Sequence, residues 1–407
     1  MPIDELVAAG YVAPFAELGV AAAYSERERR VRDLLSAYKK AIQEYAALLG
    51  PARTHRPVRI MVTLPTEAAE DPGLVESMLA AGMDCARINT AHDDVDCWEA
   101  MVEHVDHARR RQGLPCRIVV DLPGPKLRTG QPRIDGLPSK DVRVEVGDRF
   151  QLVTPVGEAE RPEQGVVVPV EVGDIFGDLE PGQSIWIDDG KIWCRVVSAH
   201  EGSATVEVLR ARPGGSRVRM EKGIYLPESR IRLPALGAED RRHALFAARR
   251  ADVVSLSFVH EPKDVADLRE VLREAGSPGL GILLKIETRA GFECLPRILL
   301  EAMKGPHFGV MIARGDLAEE AGFARLAEVQ EEILWIAEAA HAPTVWATQV
   351  LEGLAKKGVP TRAEVTDAAM GGRAEAVMLN KGPHVVEAIR ALDDILGRMA
   401  THQAKKV

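Results

Sequence analysis

From Arg59 onward the chain alternates short β-rich runs with helical stretches. The runs are Arg59–Leu64, Cys85–Thr90, Arg117–Leu122, Val253–Phe258, Ile282–Glu287, Gly309–Arg314, Thr344–Gln349 and Ala376–Lys381. Most are continuously apolar, which predicts parallel strands covered on both faces. Neighbouring runs start about 26–35 residues apart, the length of one β-α unit, except across one gap of over 130 residues. Eight such units predict an α/β fold of the (β/α)8, or TIM-barrel, type. Helical periodicity at Leu74–Ala81, Trp98–Arg111, Pro262–Glu274, Ala327–Ala340 and Glu364–Met370 supplies intervening helices.

The long gap has a different texture. Residues 132–220 are rich in Val, Gly and Asp, with alternating stretches at Val142–Val146, Gln151–Thr154, Ser184–Ile187, Ile192–Val196 and Ala204–Leu209. Gly147-Asp148, Gly173-Asp174 and Asp189-Gly190 read as turns between them. This predicts a small all-β domain inserted into a barrel loop, placed as a lid, with the barrel formed by 57–131 and 221–400. Residues 1–56 read as a helical extension. Ser25 and Glu28 have capping-box spacing, and Val31, Leu34, Leu35, Tyr38, Ile42, Tyr45 and Leu48 form an apolar stripe. That stripe needs a partner surface, either the main body or a second subunit, which leaves a homo-oligomer open.

Polar residues recur at one end of the runs: Thr63; Arg87 and Asn89, with His92 beyond; Asp121; Ser257; Lys285 and Glu287; Arg314 and Asp316; Thr348 and Gln349; Asn380 and Lys381. The opposite ends show no such enrichment, so the common end reads as a site. Lys285 and Glu287, two apart on a strand, share a face. Glu287 and Asp316 are hard oxygen donors suited to Mg²⁺ or Mn²⁺, which binds through one or two carboxylates plus substrate oxygens and waters. The bland alternative is a Lys285–Glu287 ion pair without metal. Gly315 and Asp316 lie where strand turns toward helix, so their N–H groups suit a substrate carboxylate, although an ordinary Asp N-cap has the same appearance. Arg87, Arg128 and Lys285 supply positive charge for a phosphoryl group. Arg128 also fits a solvated hinge, and His92 a structural histidine.

Composition narrows the partners. A 407-residue chain, 46% hydrophobic, can bury a full core. A net charge of -9 argues against a nucleic-acid or anionic-membrane partner. No run of about 18 apolar residues suggests a membrane span. The N-terminus, with Asp4 and Glu5, does not read as a signal peptide. Cys85, Cys97, Cys116, Cys194 and Cys294 have no paired spacing and read as reduced thiols of a cytoplasmic protein.

Over residues 57–400 the chain resembles the pyruvate kinase family. The resemblance rests on Ala81-Gly82-Met83-Asp84-Cys85-Ala86-Arg87-Ile88-Asn89, Asp121 through Gly130, Trp186-Ile187-Asp188-Asp189-Gly190 and Lys222-Gly223-Ile224-Tyr225-Leu226-Pro227. It continues through Lys285-Ile286-Glu287, Met311 through Leu317, Ala347-Thr348-Gln349-Val350-Leu351-Glu352 and Pro360-Thr361-Arg362-Ala363-Glu364. It implies a barrel with an inserted β lid, and a reaction in which phosphoenolpyruvate gives its phosphoryl group to ADP and an enolate is protonated to pyruvate. Glu287 and Asp316 would then bind the divalent metal, Mg²⁺ or Mn²⁺. Lys285, helped by Arg87, would stabilise the phosphoryl group, and the Gly315 and Asp316 amides would hold the pyruvate carboxylate. Thr348 would sit near the water that protonates the enolate carbon. Asn89, His92, Arg128 and Lys222 correspond to positions around the ADP/ATP phosphates.

Three departures qualify that resemblance. The chain ends soon after its eighth barrel unit, so effector control through the family's C-terminal domain is not expected, nor tetramer assembly through it. Lys126, with Leu122, resembles the subgroup in which an ammonium replaces the potassium ion, which implies potassium independence. Asn380-Lys381-Gly382-Pro383 and Thr63-Leu64-Pro65-Thr66 depart from the family pattern on the nucleotide side. Two other functions therefore stay open: a metal-dependent lyase or aldolase passing the enolate of pyruvate or phosphoenolpyruvate to another electrophile, and a non-catalytic barrel protein.

Overall fold

The computed structural model describes residues 41–154, 164–170, 176–177, 179–188, 190–227 and 233–403. Ser25 through Tyr38 of the predicted extension, the Gly173-Asp174 turn and Asp189 lie outside these residues.

Eight parallel strands close into a barrel: β1 Arg59–Thr63, β2 Cys85–Asn89, β3 Arg117–Asp121, β4 Val253–Leu256, β5 Gly281–Ile286, β6 Phe308–Ala313, β7 Thr344–Ala347 and β8 Ala376–Leu379. Each strand pairs with its sequence neighbours, and β1 pairs with β8 to close the ring. The predicted α/β TIM barrel is therefore observed. The strands stop one or two residues short of the predicted runs, whose last residues lie in the connections or, at Arg314, open the next helix.

Alternation along each strand divides the core in two. Ile282, Leu284 and Ile286 of β5, like Ile118 and Val120 of β3, pack outward against the helices. Met61, Cys85, Val119, Val253, Leu283, Met311, Val345 and Met378 fill the barrel interior. Leu48 and Leu49, at the end of a helix over 41–49, join that interior cluster and are almost wholly buried. A Cβ placed on Gly281 or Gly309 would come within 2.7 or 2.6 Å of the Leu48 methyl carbons, so these two glycines let Leu48 close the barrel floor. The end of the apolar stripe thus docks on its own chain, while Ile42 stays exposed. Leu48→Ala is expected to cost about 2–5 kcal/mol, the usual range for emptying a buried leucine site. Urea denaturation of variant and parent measures it.

Helices Pro72–Ala81, Val95–Gln112, Pro262–Glu274, Phe323–Ala339 and Arg362–Met370 match the predicted segments, with Ala340 as the cap of the fourth. Helices Ala238–Arg250, Arg289–Ala302, Glu352–Lys357 and Val385–Gln403 add to those that periodicity marks. Between β3 and β4 the chain forms an eight-stranded sheet and a two-stranded one. Strands Ser184–Ile187, Ile192–His200, Ser203–Arg210 and Arg149–Val153 pair antiparallel in succession around a core that includes Phe150, Phe176, Ile185 and Val206. Among the described residues no helix is long and apolar enough to cross a membrane.

Candidate active site

The period of two that buries Leu283 in the barrel interior aims Lys285 the same way, one layer nearer the strand ends, and Glu287 follows. The same alternation carries Arg87 inward beyond Cys85, and Asp121 beyond Val119. The apolar floor is therefore overlain by a polar layer. The Lys285 ammonium lies 2.6 Å from Ser257 Oγ, 3.3 Å from Asp121 Oδ2 and 3.3 Å from Glu287 Oε1. Arg87 donates to Thr63 Oγ1 at 2.7 Å and to Asp121 Oδ2. All five of Arg87, Asp121, Ser257, Lys285 and Glu287 are buried.

Charge decides their protonation. Burial pushes the Asp121 carboxyl up, but Arg87 and Lys285 outweigh it and leave it below the usual carboxylate range. Burial pushes Lys285 down, but Asp121 and Glu287 hold it above its ordinary value, so it stays an ammonium. Burial pushes Glu287 up to about 7; Lys285 opposes the shift, and the negative charges of Asp316 and Asp121 add to it.

Asp316 stands in the first turn of helix Arg314–Ala321, which follows β6 directly. Its Oδ1 accepts from Lys126 Nζ at 2.5 Å and from the Tyr225 hydroxyl. Burial raises the Asp316 carboxyl, and Lys126, Tyr225 and Lys285 together bring it below its ordinary value. Beside it the Gly315 N–H donates to Thr348 Oγ1 at 3.1 Å. Arg314 fixes the adjoining loop. Its guanidinium donates to the carbonyls of Ala347 (3.0 Å) and Thr348 (2.5 Å), pairs with Asp367 and lies 4.5 Å over the Trp346 ring. Thr348 is thus held against the Asp316 turn from the neighbouring strand.

Glu287 and Asp316 fit a hard divalent cation. Both offer carboxylate oxygens, and each lies within the other's electrostatic reach. Burial is the largest cause of the raised Glu287, with the negative charges of Asp316 and Asp121 behind it, and a dication beside the carboxylate would offset both. Among the described residues no group of three or more His, Cys, Asp and Glu side chains is arranged for a metal. A two-carboxylate site suits Mg²⁺, which completes its shell with water and substrate oxygens. A Mg²⁺ ion held by Glu287 would require its carboxylate form, so affinity for Mg²⁺ there is expected to rise up to about tenfold per pH unit below pH 7 and to level off above it. Calorimetric titration from pH 5.5 to 8.5 measures this, and a flat profile contradicts it.

Of the remaining predicted residues, Asn89 ends β2 with His92 just beyond it, and Arg128 and Lys222 adjoin the inserted sheets. Asn89 Oδ1 accepts from the Ala91 N–H, and the His92 carbonyl accepts from Trp98 Nε1. Burial, then the positive charges of Lys381 and Arg128, lower the His92 imidazole, and Arg87 contributes in the same direction. His92 therefore lies within electrostatic reach of Lys381, Arg128 and Arg87. Arg128 bridges to Gly223, and Lys222 Nζ lies 3.3 Å from Asp188 Oδ1. Lys126 sits on Asp316, 5.3 Å over the Tyr225 ring.

Two features have no counterpart in the sequence reading. Tyr225 lies within the quoted Lys222–Pro227 motif, yet nothing in its spacing points to Asp316. The Arg314–Asp367 pair joins two predicted units with no local signal.

Comparison with known proteins identifies the family of the barrel. The family described as "Pyruvate kinase, barrel domain" matches residues 55–384. A pyruvate kinase of Aeropyrum pernix is 33% identical over 326 residues, covering 79% of this chain and 66% of the relative. One from Methylorubrum extorquens is 35% identical over 351 residues, covering 84% and 68%. One from Clostridium acetobutylicum is 30% identical over 338 residues, covering 81% and 67%. The matched segment thus spans about two thirds of the length of these relatives. Barrel fold and sequence agree, and the chain belongs to the pyruvate kinase family.

Proposed function

We propose that the chain is a pyruvate kinase-like phosphotransferase that moves the phosphoryl group of phosphoenolpyruvate to ADP. The observation that carries this reading is the buried Lys285 ammonium held between Asp121, Ser257 and Glu287, with Asp316 within electrostatic reach. A permanently charged, desolvated cation beside two acids serves charge that develops during transfer better than it serves stability.

In the reaction the phosphorus–oxygen bond of phosphoenolpyruvate breaks, an oxygen of ADP takes the phosphoryl group, and the departing enolate takes a proton at carbon. Lys285 and Arg87 stabilise the phosphoryl oxygens. Arg87 Nε is buried with no hydrogen-bond partner among the described residues, so a donor remains for a substrate oxygen. Gly315 and Asp316 hold the pyruvate carboxylate through their amides. The Gly315 N–H is engaged by Thr348 Oγ1, so carboxylate binding exchanges that partner and brings the Thr348 hydroxyl next to the substrate. Thr348 then orients the water that protonates the enolate carbon. Glu287 and Asp316 would hold Mg²⁺ or Mn²⁺, which would supply Lewis-acid neutralisation of negative charge on substrate oxygens.

On the acceptor side, Asn89, His92, Arg128 and Lys222 flank the nucleotide phosphates. The ammonium of Lys126 brings a fixed monovalent charge to the acid cluster, which makes added potassium unnecessary. The five cysteines are free thiols, in keeping with a cytoplasmic location.

A coupled assay for pyruvate, with and without ADP and with and without potassium, tests the reading. Formation of pyruvate that needs ADP and Mg²⁺ but not potassium supports it. No pyruvate with any divalent metal contradicts it. A second reading draws on the altered acceptor side, where Lys381-Gly382-Pro383 follows β8 and Leu64-Pro65 follows β1. There the enolate attacks another electrophile, and condensation of pyruvate with a supplied aldehyde distinguishes it.

A further inference from the structure

The inserted sheets carry a second concentration of charge. A cavity of about 410 Å³ opens beside the two-stranded sheet, lined by Lys191, Arg212, Arg217, Arg219 and Lys222 with Asp188. Among the described residues glycine and serine complete the lining, and no aliphatic or aromatic side chain contributes. In a chain of net charge -9, five cations against two acids, Asp188 in the lining and Asp141 beside it, mark a local reversal of sign among the described residues. Asp141 engages two of them, 3.3 Å from Arg217 and 3.7 Å from Arg219. Arg143 and Glu145 flank the rim as a pair of their own. Asp188 lies 3.0 Å from Lys191 and 3.3 Å from Lys222, so it accounts for part of the positive charge only.

From this geometry we propose that the inserted sheets bind a compact polyanion carrying two or more phosphate groups. Size, charge and lining each narrow the ligand. The volume falls within the range of about 300–1,000 Å³ usual for small-molecule sites. Arginine forks match phosphate oxygens two at a time, and three arginines suit several phosphates better than one. A nucleobase finds no apolar surface here, which points to a ligand with little besides its anionic groups. Exposed Arg212 and Arg217 stand on strand and turn residues 212–217, outside the Lys285 cluster. Lys222 belongs to both this cavity and the proposed acceptor-phosphate set, so occupancy here competes with acceptor binding.

Calorimetry of the full chain with inorganic tripolyphosphate, in buffer freed of divalent metal, tests the site. One tripolyphosphate per chain is expected, with orthophosphate at least about tenfold weaker and both weakened by added salt, as exposed charges require. The double variant Arg212→Ser/Arg217→Ser is expected to lose about tenfold or more in affinity with its melting temperature kept. The Glu287→Gln variant is expected to bind tripolyphosphate like the parent. Where the double variant does not fold, Arg212→Ser alone, at an exposed position, is expected to lose about threefold. Absence of binding, unchanged affinity in the arginine variants, or loss of binding in Glu287→Gln overturns the proposal. These outcomes do not depend on pyruvate formation, so failure here and failure of the phosphotransfer reading are separate results.

Discussion

Replacing Lys285 by methionine is expected to lower phosphoryl transfer by about 10²–10³-fold, the range seen when one preorganised charge-stabilising group is removed. Methionine keeps the length and the apolar stem but leaves Asp121 with Arg87 alone, and Glu287 without its nearest cation. Glu287 should then take up its proton at still higher pH, because the influence that opposes burial is gone. The variant should also be less stable, since half of a buried charge pair has been removed. Its signature is selectivity. Enolisation of pyruvate carries no phosphoryl charge, so methyl-proton exchange should fall much less than transfer. Equal loss of both would assign Lys285 to the enolate rather than to the phosphoryl group.

The second large effect belongs to Glu287→Gln. Removing one of two carboxylates is expected to weaken Mg²⁺ binding by about 10²-fold or more and to reduce turnover correspondingly. The metal-free protein should respond in the opposite sense. Glu287 is raised from an ordinary 4.5 to about 7. Its contribution is therefore fully favourable below the unfolded value and is lost as pH rises through about 7. Glutamine keeps an oxygen to accept the Phe258 N–H, which donates to Glu287 Oε2 at 2.7 Å, and it carries no charge. Without metal at pH 8, the variant should be more stable than the parent by up to roughly 3 kcal/mol, because each tenfold change in proton affinity is worth about 1.4 kcal/mol. At pH 4 the two should match. Chemical denaturation with chelator at both pH values measures this, and a less stable variant at pH 8 contradicts the electrostatic account.

Much of the barrel is legible in the sequence because strand burial is written in apolar runs, and because alternation carries a residue's direction from the core to the strand end. Lys285 and Glu287 follow from Leu283 in this way. Strand ends are overextended in such a reading, since turn residues such as Thr348 continue the apolar run Thr344–Ala347 with a residue that also favours strands. Helix Arg289–Ala302 is hidden by Pro296 in its interior, and Ala238–Arg250 by the charged residues that crowd its exposed face. The grip of Lys126 and Tyr225 on Asp316 joins segments 190 and 91 residues apart, a distance over which no local pattern operates. Only closure of the barrel and return of the chain from the inserted sheets bring them together.

Loss of the methyl-proton signal of pyruvate in deuterium oxide, followed by NMR with Mg²⁺ and without ADP, tests the shared role of Glu287 and Asp316 most directly. The expected result is exchange that stops on chelation and is abolished by Glu287→Gln or Asp316→Asn. Exchange that persists without metal, or that survives both substitutions, would contradict that role.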